Sequence, residues 1–221
     1  MQHITFRKEE QMGRRKKEPR SVHRENIASA ASVLFMEKGI AETSMDDIAK
    51  AAGYSKATLY VYFENKEEIV GILVLGSMKK LYEYIASALA QQESTKGRYE
   101  LICRGLVRYQ EEFPFYFDMA LSKINIDFEN RDYLPEEKET YLVGEEINEK
   151  LRDFLTAGME NGELRDDLEI MPAIFNFWGM FSGMIQLAAN KEAYIEKAMG
   201  LSKGQFLDYG FSMLYRSIAA K

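Results

Sequence analysis

Apolar residues recur about every 3.6 positions along most of this 221-residue chain, and no long alternation of polar and apolar residues interrupts them. This spacing gathers apolar side chains on one face of a helix, whereas a half-buried strand requires alternation. The chain holds only four prolines, which leaves room for long helices. Several prolines stand where predicted helices begin, and several glycines stand where they end. The sequence therefore predicts an all-α fold.

The predicted helices fall into a compact group at the N-terminus and a longer series behind it. Gly39 and Gly53 end the first two, Ser44 and Asp47 form a capping box before the second, and Ser55 caps the third. The predicted ranges are 22–38, 45–52, 56–63, 66–90, 95–112, 114–126, 135–161, 168–190 and 203–220.

Charge is distributed unevenly along the chain, whose formal net charge is −6. Residues 1–24 contain eight basic and three acidic side chains, while residues 71–221 carry a net charge of −7. A basic front on an acidic body is typical of a protein whose N-terminal end faces nucleic acid. A solvated, flexible tail is the alternative interpretation of the basic run.

Composition argues against catalysis and against metal sites in the main body. The two histidines, His3 and His23, both lie in the first 23 residues, and the single cysteine, Cys103, cannot form an internal disulfide. No phosphate-binding loop, G-x-G-x-x-G or C-x-x-C motif is present. The S-x-x-K pattern at Ser77–Lys80 lies on a predicted surface helix without supporting motifs. We expect no enzyme, no cofactor and no bound metal.

One segment requires a membrane test, because residues 171–190 carry no charge and are long enough to span a bilayer. Pro172, Asn176, Ser182, Gln186 and two glycines within it favour a helix buried in a core or a subunit interface. The first 25 residues are polar and lack the apolar region of a signal peptide. We therefore expect a cytoplasmic protein with no membrane span.

The segment most informative about function covers residues 44–63, where two predicted helices flank a turn through Gly53, Tyr54 and Ser55. Small residues on the first helix allow close packing of the second, whose Leu59 and Phe63 point inward. The opposite face of this second helix is predicted to face solvent and carries a cation, a hydroxyl, a phenol and an apolar group. This mixture suits a DNA major groove. These side chains are Lys56, Thr58, Tyr62 and Val61. A plain helical hairpin is the alternative.

Residues 31–70 resemble the DNA-binding domain of tetracycline-repressor-like (TetR-type) transcriptional regulators. The motifs that carry the resemblance are Phe35-x-x-x-Gly39, Thr43-Ser44-Met45, Ile48-Ala49, Ala52-Gly53 and Ser55-Lys56-x-Thr58-Leu59-Tyr60-x-Tyr62-Phe63-x-x-Lys66-Glu67. The remainder of the chain matches this family only in length and helical layout.

The resemblance implies roles for individual residues. Residues at the starts of the helices would face bases and phosphates, and Tyr60 and Tyr62 would brace or contact the phosphate backbone of DNA. Val61 cannot hydrogen-bond a base, so its readout would be apolar or weak. Core packing is the alternative for Tyr60. The implied DNA contacts are Thr43, Ser44, Ser55, Lys56, Ala57, Thr58, Tyr60, Val61, Tyr62 and Lys66. The basic run Arg14–Lys17 would make salt-sensitive contacts or stay free.

By the same resemblance, residues 1–20 form a basic arm, 21–68 the helix-turn-helix domain, and 69–221 a ligand-binding and dimerisation domain. An aromatic and methionine-rich composition suggests an apolar effector, with a few polar groups to orient it. The candidate ligand contacts are Tyr109, Phe113, Tyr141, Asn176, Trp178 and Gln186.

Two helical stripes near the C-terminus predict a two-fold homodimer interface. Their members are Ile174, Phe177, Trp178, Phe181 and Ile185 on the uncharged helix, and Leu207, Phe211, Leu214 and Ile218 on the last one. A symmetric dimer implies a palindromic operator. The expected function is a ligand-responsive transcriptional regulator, a repressor that a small apolar effector releases from DNA. A helical adaptor that binds proteins without DNA is the alternative.

Overall fold

A computed structural model describes residues 19–91, 93–121 and 133–220 of the chain. Over these residues the fold is all-α, as the sequence predicts, and the only extended pairing is an isolated bridge between Leu164 and Ala219. The helices are α1 Arg20–Glu42, α2 Met45–Ala52, α3 Lys56–Tyr62, α4 Lys66–Leu89, α5 Thr95–Glu112, α6 Pro114–Ala120, α7 Pro135–Glu160, α8 Ile170–Asn190, α9 Glu192–Met199 and α10 Lys203–Ile218. The basic run Arg14–Lys17 lies outside the described residues.

Helix boundaries follow the capping residues. Within α1, Gly39 leaves the helical conformation at φ +84°, so the regular helix stops where the sequence predicts and a short turn follows. The sequence-based prediction misses the short helix α9. Of the helix predicted for 114–126, α6 covers Pro114–Ala120, and the part that follows Leu121 lies outside the described residues.

The chain divides into two compact units, one ending at Glu64 and the other beginning at Asn65. The sequence-based boundary after residue 68 lies four residues later. The division falls earlier because Asn65 caps α4 by accepting the amide hydrogen of Glu68, and α4 packs against α5, α6 and α7. The first unit has its own core, formed by Ile27, Ala28, Ala31, Phe35, Ile48, Ala49, Leu59 and Phe63.

The second unit is organised around α4, with α8 packed on α7 and α10. Its buried tyrosines bond to backbone carbonyls: Tyr109 Oη donates to Ser77 O at 2.9 Å, and Tyr99 Oη donates to Phe211 O at 2.8 Å. These bonds satisfy polar groups that would otherwise destabilise an apolar core. They also fix α5 against α4 and α10.

Close packing around Gly158 predicts a clear effect on stability. An added Cβ there would lie 2.6 Å from Leu164 Cδ1 and 2.9 Å from Thr95 Cγ2, and both neighbours are buried. We expect Gly158→Ala to lower the free energy of unfolding by about 1–3 kcal/mol through overpacking. Gly144→Ala is the control on the same helix, because its nearest neighbour is Met78 Cε at 3.8 Å. The control should stabilise α7 by about 0.5–1 kcal/mol in denaturant titrations; equal effects of the two variants would contradict the packing.

The single cysteine is inert by burial. Cys103 is 2% exposed, and burial raises the pKa of its thiol to about 12. At pH 8 about one thiol in 10,000 is then ionised, so an aromatic disulfide reagent should label native protein only as fast as the structure opens. Labelling of the folded chain at the rate of free cysteine would contradict this arrangement.

Candidate nucleic-acid interface and ligand cavity

Local sequence determines the two helices of the helix-turn-helix unit. Ser44 Oγ accepts the amide hydrogen of Asp47, and the Asp47 carboxylate accepts from the Ser44 amide and hydroxyl. Lys38 Nζ lies 2.8 Å from the same carboxylate and, with the Ser44 bonds, holds the pKa of Asp47 well below its usual range. Gly53 ends α2 in the left-handed conformation at φ +75°, which allows the chain to reverse into α3.

Helix α3 buries one side and exposes the other. Leu59 and the following Phe63 are at most 1% exposed, and both belong to the core of the first unit. On the opposite side Lys56 and Ala57 are exposed, Tyr60 is 45% exposed and Val61 is 62% exposed. We call this outward side the α3 surface. It can offer a ligand one cation, one phenol and an apolar patch.

The hydroxyls at the start of α3 are used within the protein. Ser55 Oγ accepts the amide hydrogen of Thr58, and the two side-chain oxygens lie 2.7 Å apart in a shared hydrogen bond. Thr58 is therefore half-buried against the cap. These two predicted contacts retain at most one hydroxyl proton between them for a partner.

The last turn of α3 is held by two arginines from α1. Arg20 Nη2 donates to Val61 O at 2.9 Å, and Arg24 Nη1 donates to Tyr62 O at 3.0 Å. The Arg24 guanidinium also lies over the Phe63 ring, 4.4 Å from its centroid. Arginines suit a helix C-terminus, where carbonyls lack partners. Sequence reasoning counted both only as part of the basic front, because no local pattern links α1 to α3.

An aromatic cluster braces the same end of α3. His23 Nδ1 lies 2.7 Å from Tyr54 Oη, and the His23 ring lies 5.1 Å from the Tyr62 ring. Tyr62 is consequently half-buried between α1 and the turn, so its ring packs within the domain. The contact of Tyr62 with the phosphate backbone of DNA stays a prediction.

Thr43 requires a correction. It is 1% exposed, its hydroxyl donates to Gly39 O at 2.8 Å, and its amide bonds to Ile40 O, so it closes the turn after α1. The hydroxyl and amide that were predicted to meet phosphate are thus occupied inside the domain. Ser44 is exposed, although its hydroxyl serves the capping box. Lys66 begins α4 and belongs to the second unit.

The second unit contains an apolar cavity of about 60 Å³. Side chains from α4, α5, α7, α8 and α10 line it, and none of them is charged. They are Ile85, Tyr99, Ile102, Leu106, Leu151, Phe154, Leu155, Ala173, Ile174, Phe177, Trp178, Phe181 and Ile218.

Of the six predicted ligand contacts, Trp178 alone lines this cavity. Tyr109 is fully buried on Ser77 O, Asn176 Nδ2 donates to Pro172 O at 2.8 Å, and Gln186 Nε2 donates to Asp118 Oδ1 at 2.8 Å. These donors are thus engaged by the protein itself, whereas Gln186 Oε1 is buried without a hydrogen-bond partner among the described residues. Phe113 lines a separate open groove beside α4 and α5, and Tyr141 lies half-buried on α7 away from the lining.

The predicted dimer stripes face inward, which is a second correction. Six of their residues are 2–7% exposed in the core of the single chain: Ile174, Phe181, Ile185, Leu207, Phe211 and Ile218. The other three, Phe177, Trp178 and Leu214, are partly buried against the same core. The six buried side chains cannot contact a second copy without leaving that core.

A different face of the same helices remains open. On α8, Phe175, Met180 and Leu187 are 40–60% exposed, and a Cβ added at Gly179 or Gly183 would meet open space. On α10, Tyr209 is 64% and Met213 is 52% exposed. We call this set the outer α8–α10 face. Clusters of exposed large apolar residues mark interaction surfaces.

Helix α8 is the one helix in the described ranges with the length and apolar composition to cross a membrane, and 22% of its most apolar stretch is buried in the chain. Its inner side packs on α7 and α10, as a core helix does. Length and composition do not distinguish a membrane span from a helix that is covered by a second protein surface.

Comparison with known proteins agrees with this architecture. Residues 27–71 match the family model of bacterial regulatory proteins, tetR family. The transcriptional repressor KstR2 of Rhodococcus jostii is 26% identical over 159 residues, which cover 68% of this chain and 72% of the relative. The biofilm-operon negative regulator IcaR of Staphylococcus aureus is 27% identical over 86% of this chain and 96% of its own.

A solved structure extends the likeness to three dimensions. The TetR family regulator PfmR of Thermus thermophilus superimposes with a TM-score of 0.64 at 27% identity, over 86% of this chain and 97% of that one. All three relatives are transcriptional regulators by name. The helix-turn-helix unit of the chain thus matches the tetR family of bacterial regulatory proteins, and the chain is similar along most of its length to transcriptional regulators.

Proposed function

We propose that this protein is a transcriptional repressor that binds a palindromic operator as a homodimer in the cytoplasm and is released by a small apolar effector. The observation that carries the proposal is the α3 surface. A short helix fixed by two caps and by Arg20 and Arg24 presents Lys56, Tyr60 and Val61 to solvent. A cation, a phenol and an apolar side chain on one exposed helix suit phosphate, sugar and thymine methyl contacts.

The outer α8–α10 face supports a second copy of the chain as the partner. Its glycines allow a partner helix to approach closely, and pairing about a two-fold axis would bury Phe175 and Met180 against their symmetry mates. Burial of this face by a second copy would also explain why α8 carries no charged residue on its exposed side. Symmetric pairing makes the operator a pseudo-palindrome.

The apolar cavity supports the chemistry of the effector. Its lining holds no charged group, and the Tyr99 hydroxyl within it donates to Phe211 O. A charged ligand group buried there would lack a counter-charge, so the part of the effector that enters must be neutral and apolar. About 60 Å³ is smaller than a cavity that accommodates benzene. Effector binding therefore requires lining side chains to move, which gives the two states that allosteric release needs.

The test begins with selection of duplexes from a random library by the wild-type protein, followed by fluorescence anisotropy with the recovered duplex and a scrambled version. We expect a two-fold symmetric consensus and tighter binding of the selected duplex by at least about a thousandfold. Recovery of no consensus would contradict operator binding and favour a helical adaptor.

The effector part has its own readout, because Trp178 is the single tryptophan of the chain and lines the cavity. Linear alcohols from hexanol to tetradecanol should change Trp178 fluorescence and weaken operator binding by about 5- to 150-fold at saturation. Fluorescence changes without any loss of operator affinity would contradict release by a ligand in this cavity.

A further inference from the structure

The α3 surface carries an acidic partner that the sequence-based list of contacts omits. Lys56 Nζ lies 2.8 Å from Asp46 Oδ1 and 3.1 Å from Asp46 Oδ2. Asp46 stands in the first turn of α2, and the pair joins the two helices of the helix-turn-helix unit. Both side chains are about 60% exposed, so the pair lies at the protein surface.

Stability does not account for this pair. An ion pair between exposed side chains contributes little to folding because water and salt screen it. Its effect on charge is larger, since Asp46 neutralises the cation that the α3 surface would offer to DNA. The hydrogen bond that Lys56 donates to Asp46 raises the pKa of the lysine, as pairing with a carboxylate does.

Pairing changes what Lys56 gains from different DNA sequences. A free lysine gains attraction from any phosphate and strengthens binding to every duplex alike. A paired lysine must give up its bond to the Asp46 carboxylate before it binds a new partner. Contact with a phosphate alone therefore adds little to the free energy of binding. Guanine in the major groove presents two acceptors, N7 and O6, and a lysine placed there also gains the surrounding contacts of a fitted helix.

We propose that Asp46 is a specificity-determining residue that withholds Lys56 from phosphates of unrelated DNA and thereby widens the preference for the operator. The inference rests on the proposed function of the α3 surface. Asp46 would weaken binding to unrelated DNA more than binding to the operator. Weakening the wrong complex is a general route to specificity.

The test compares Asp46→Asn with wild type on the selected duplex and on its scrambled version. We expect binding of the scrambled duplex to strengthen about tenfold and binding of the selected duplex by no more than about threefold, so the ratio of affinities falls at least about threefold. For a dimer that releases two lysines, the slope of log affinity against log salt on the scrambled duplex should steepen by about 1.8, from about 0.9 for each lysine.

Two controls separate this role from a general change of charge. Asp47→Asn removes the same charge from the same helical turn, but the partner of Asp47 is Lys38, so the affinity ratio should not change. In a Lys56→Gln background, Asp46→Asn should also leave the ratio unchanged, because Asp46 acts through Lys56.

Three results would overturn the inference: an unchanged ratio in Asp46→Asn, an equal fall in Asp47→Asn, or the same fall with Lys56 absent. Circular dichroism melts check that each variant is folded, and we expect Asp46→Asn to melt close to the wild type because Asp46 is exposed. Failure of the proposed function is distinguishable, because the wild type itself would then bind the selected and scrambled duplexes equally.

Discussion

Phe175→Asp is expected to convert a dimer into monomers and to weaken operator binding by more than about a hundredfold. Phe175 is 60% exposed on the outer α8–α10 face, so the folded monomer tolerates a carboxylate there. In a two-fold interface the variant would bury two carboxylates without partners, which costs several kcal/mol. Monomers lose the cooperation of two recognition helices on one operator. Sedimentation velocity at micromolar protein measures the first effect, and anisotropy measures the second.

The control is Leu142→Asp, since Leu142 is 49% exposed on α7 and lies off the outer α8–α10 face. This variant should remain dimeric and bind the operator as the wild type does. If the Phe175→Asp protein stayed dimeric, or if both variants dissociated equally, the outer α8–α10 face would not be the dimer interface.

Val61→Glu is the second change with a large expected effect. Val61 is 62% exposed on the α3 surface, in the last turn of the helix, and a glutamate there would place a negative charge against the phosphates and base edges of each half-site. Desolvation and repulsion together should weaken binding of every duplex by more than about a hundredfold. Thermal stability should stay close to that of the wild type, because surface substitutions away from special features change it little.

Val33→Glu is the matched control, since Val33 is 48% exposed on α1 of the same unit. It adds the same charge away from the α3 surface and should lower DNA affinity only slightly, with less effect as salt increases. If the two variants lost affinity equally, general repulsion would explain the result and the α3 surface would not be the reading element.

The helix-turn-helix unit could be predicted from sequence because its determinants are local. Ser44 with Asp47, Gly53 and Ser55 fix helix ends within four residues of themselves, and the structure has the predicted caps at each position. Leu59 and Phe63 are buried as their spacing indicates. Such features depend on neighbours in the chain and need no knowledge of tertiary packing.

The orientation of α8 could not be predicted in the same way. A helix that is apolar all round has no polar side to mark solvent, so its periodicity fits several faces equally well. The stripe through Ile174, Phe181 and Ile185 was assigned to a partner, and it packs inside the chain instead. Gly179 and Gly183 carried the better indication, since small residues mark the side where another helix can approach closely.

Hydrogen-bond and ion-pair partners that lie apart in the sequence could not be predicted either. Arg20 and Arg24 bond to the last carbonyls of α3 about 40 positions along the chain, and Asp46 pairs with Lys56 across the turn. The Gln186 amide group is a third example, since its Nε2 donates to Asp118, 68 positions earlier in the chain. Only the packed structure reveals which polar groups remain available.

Footprinting tests the central claim most directly. Hydroxyl-radical cleavage of the selected duplex, bound by wild type and by Val61→Glu, reports where the α3 surface meets DNA. The account predicts two symmetric protected half-sites with wild type and none with the variant at the same protein concentration. Protection that is uniform along the duplex, or that persists unchanged in Val61→Glu, would contradict sequence reading by α3.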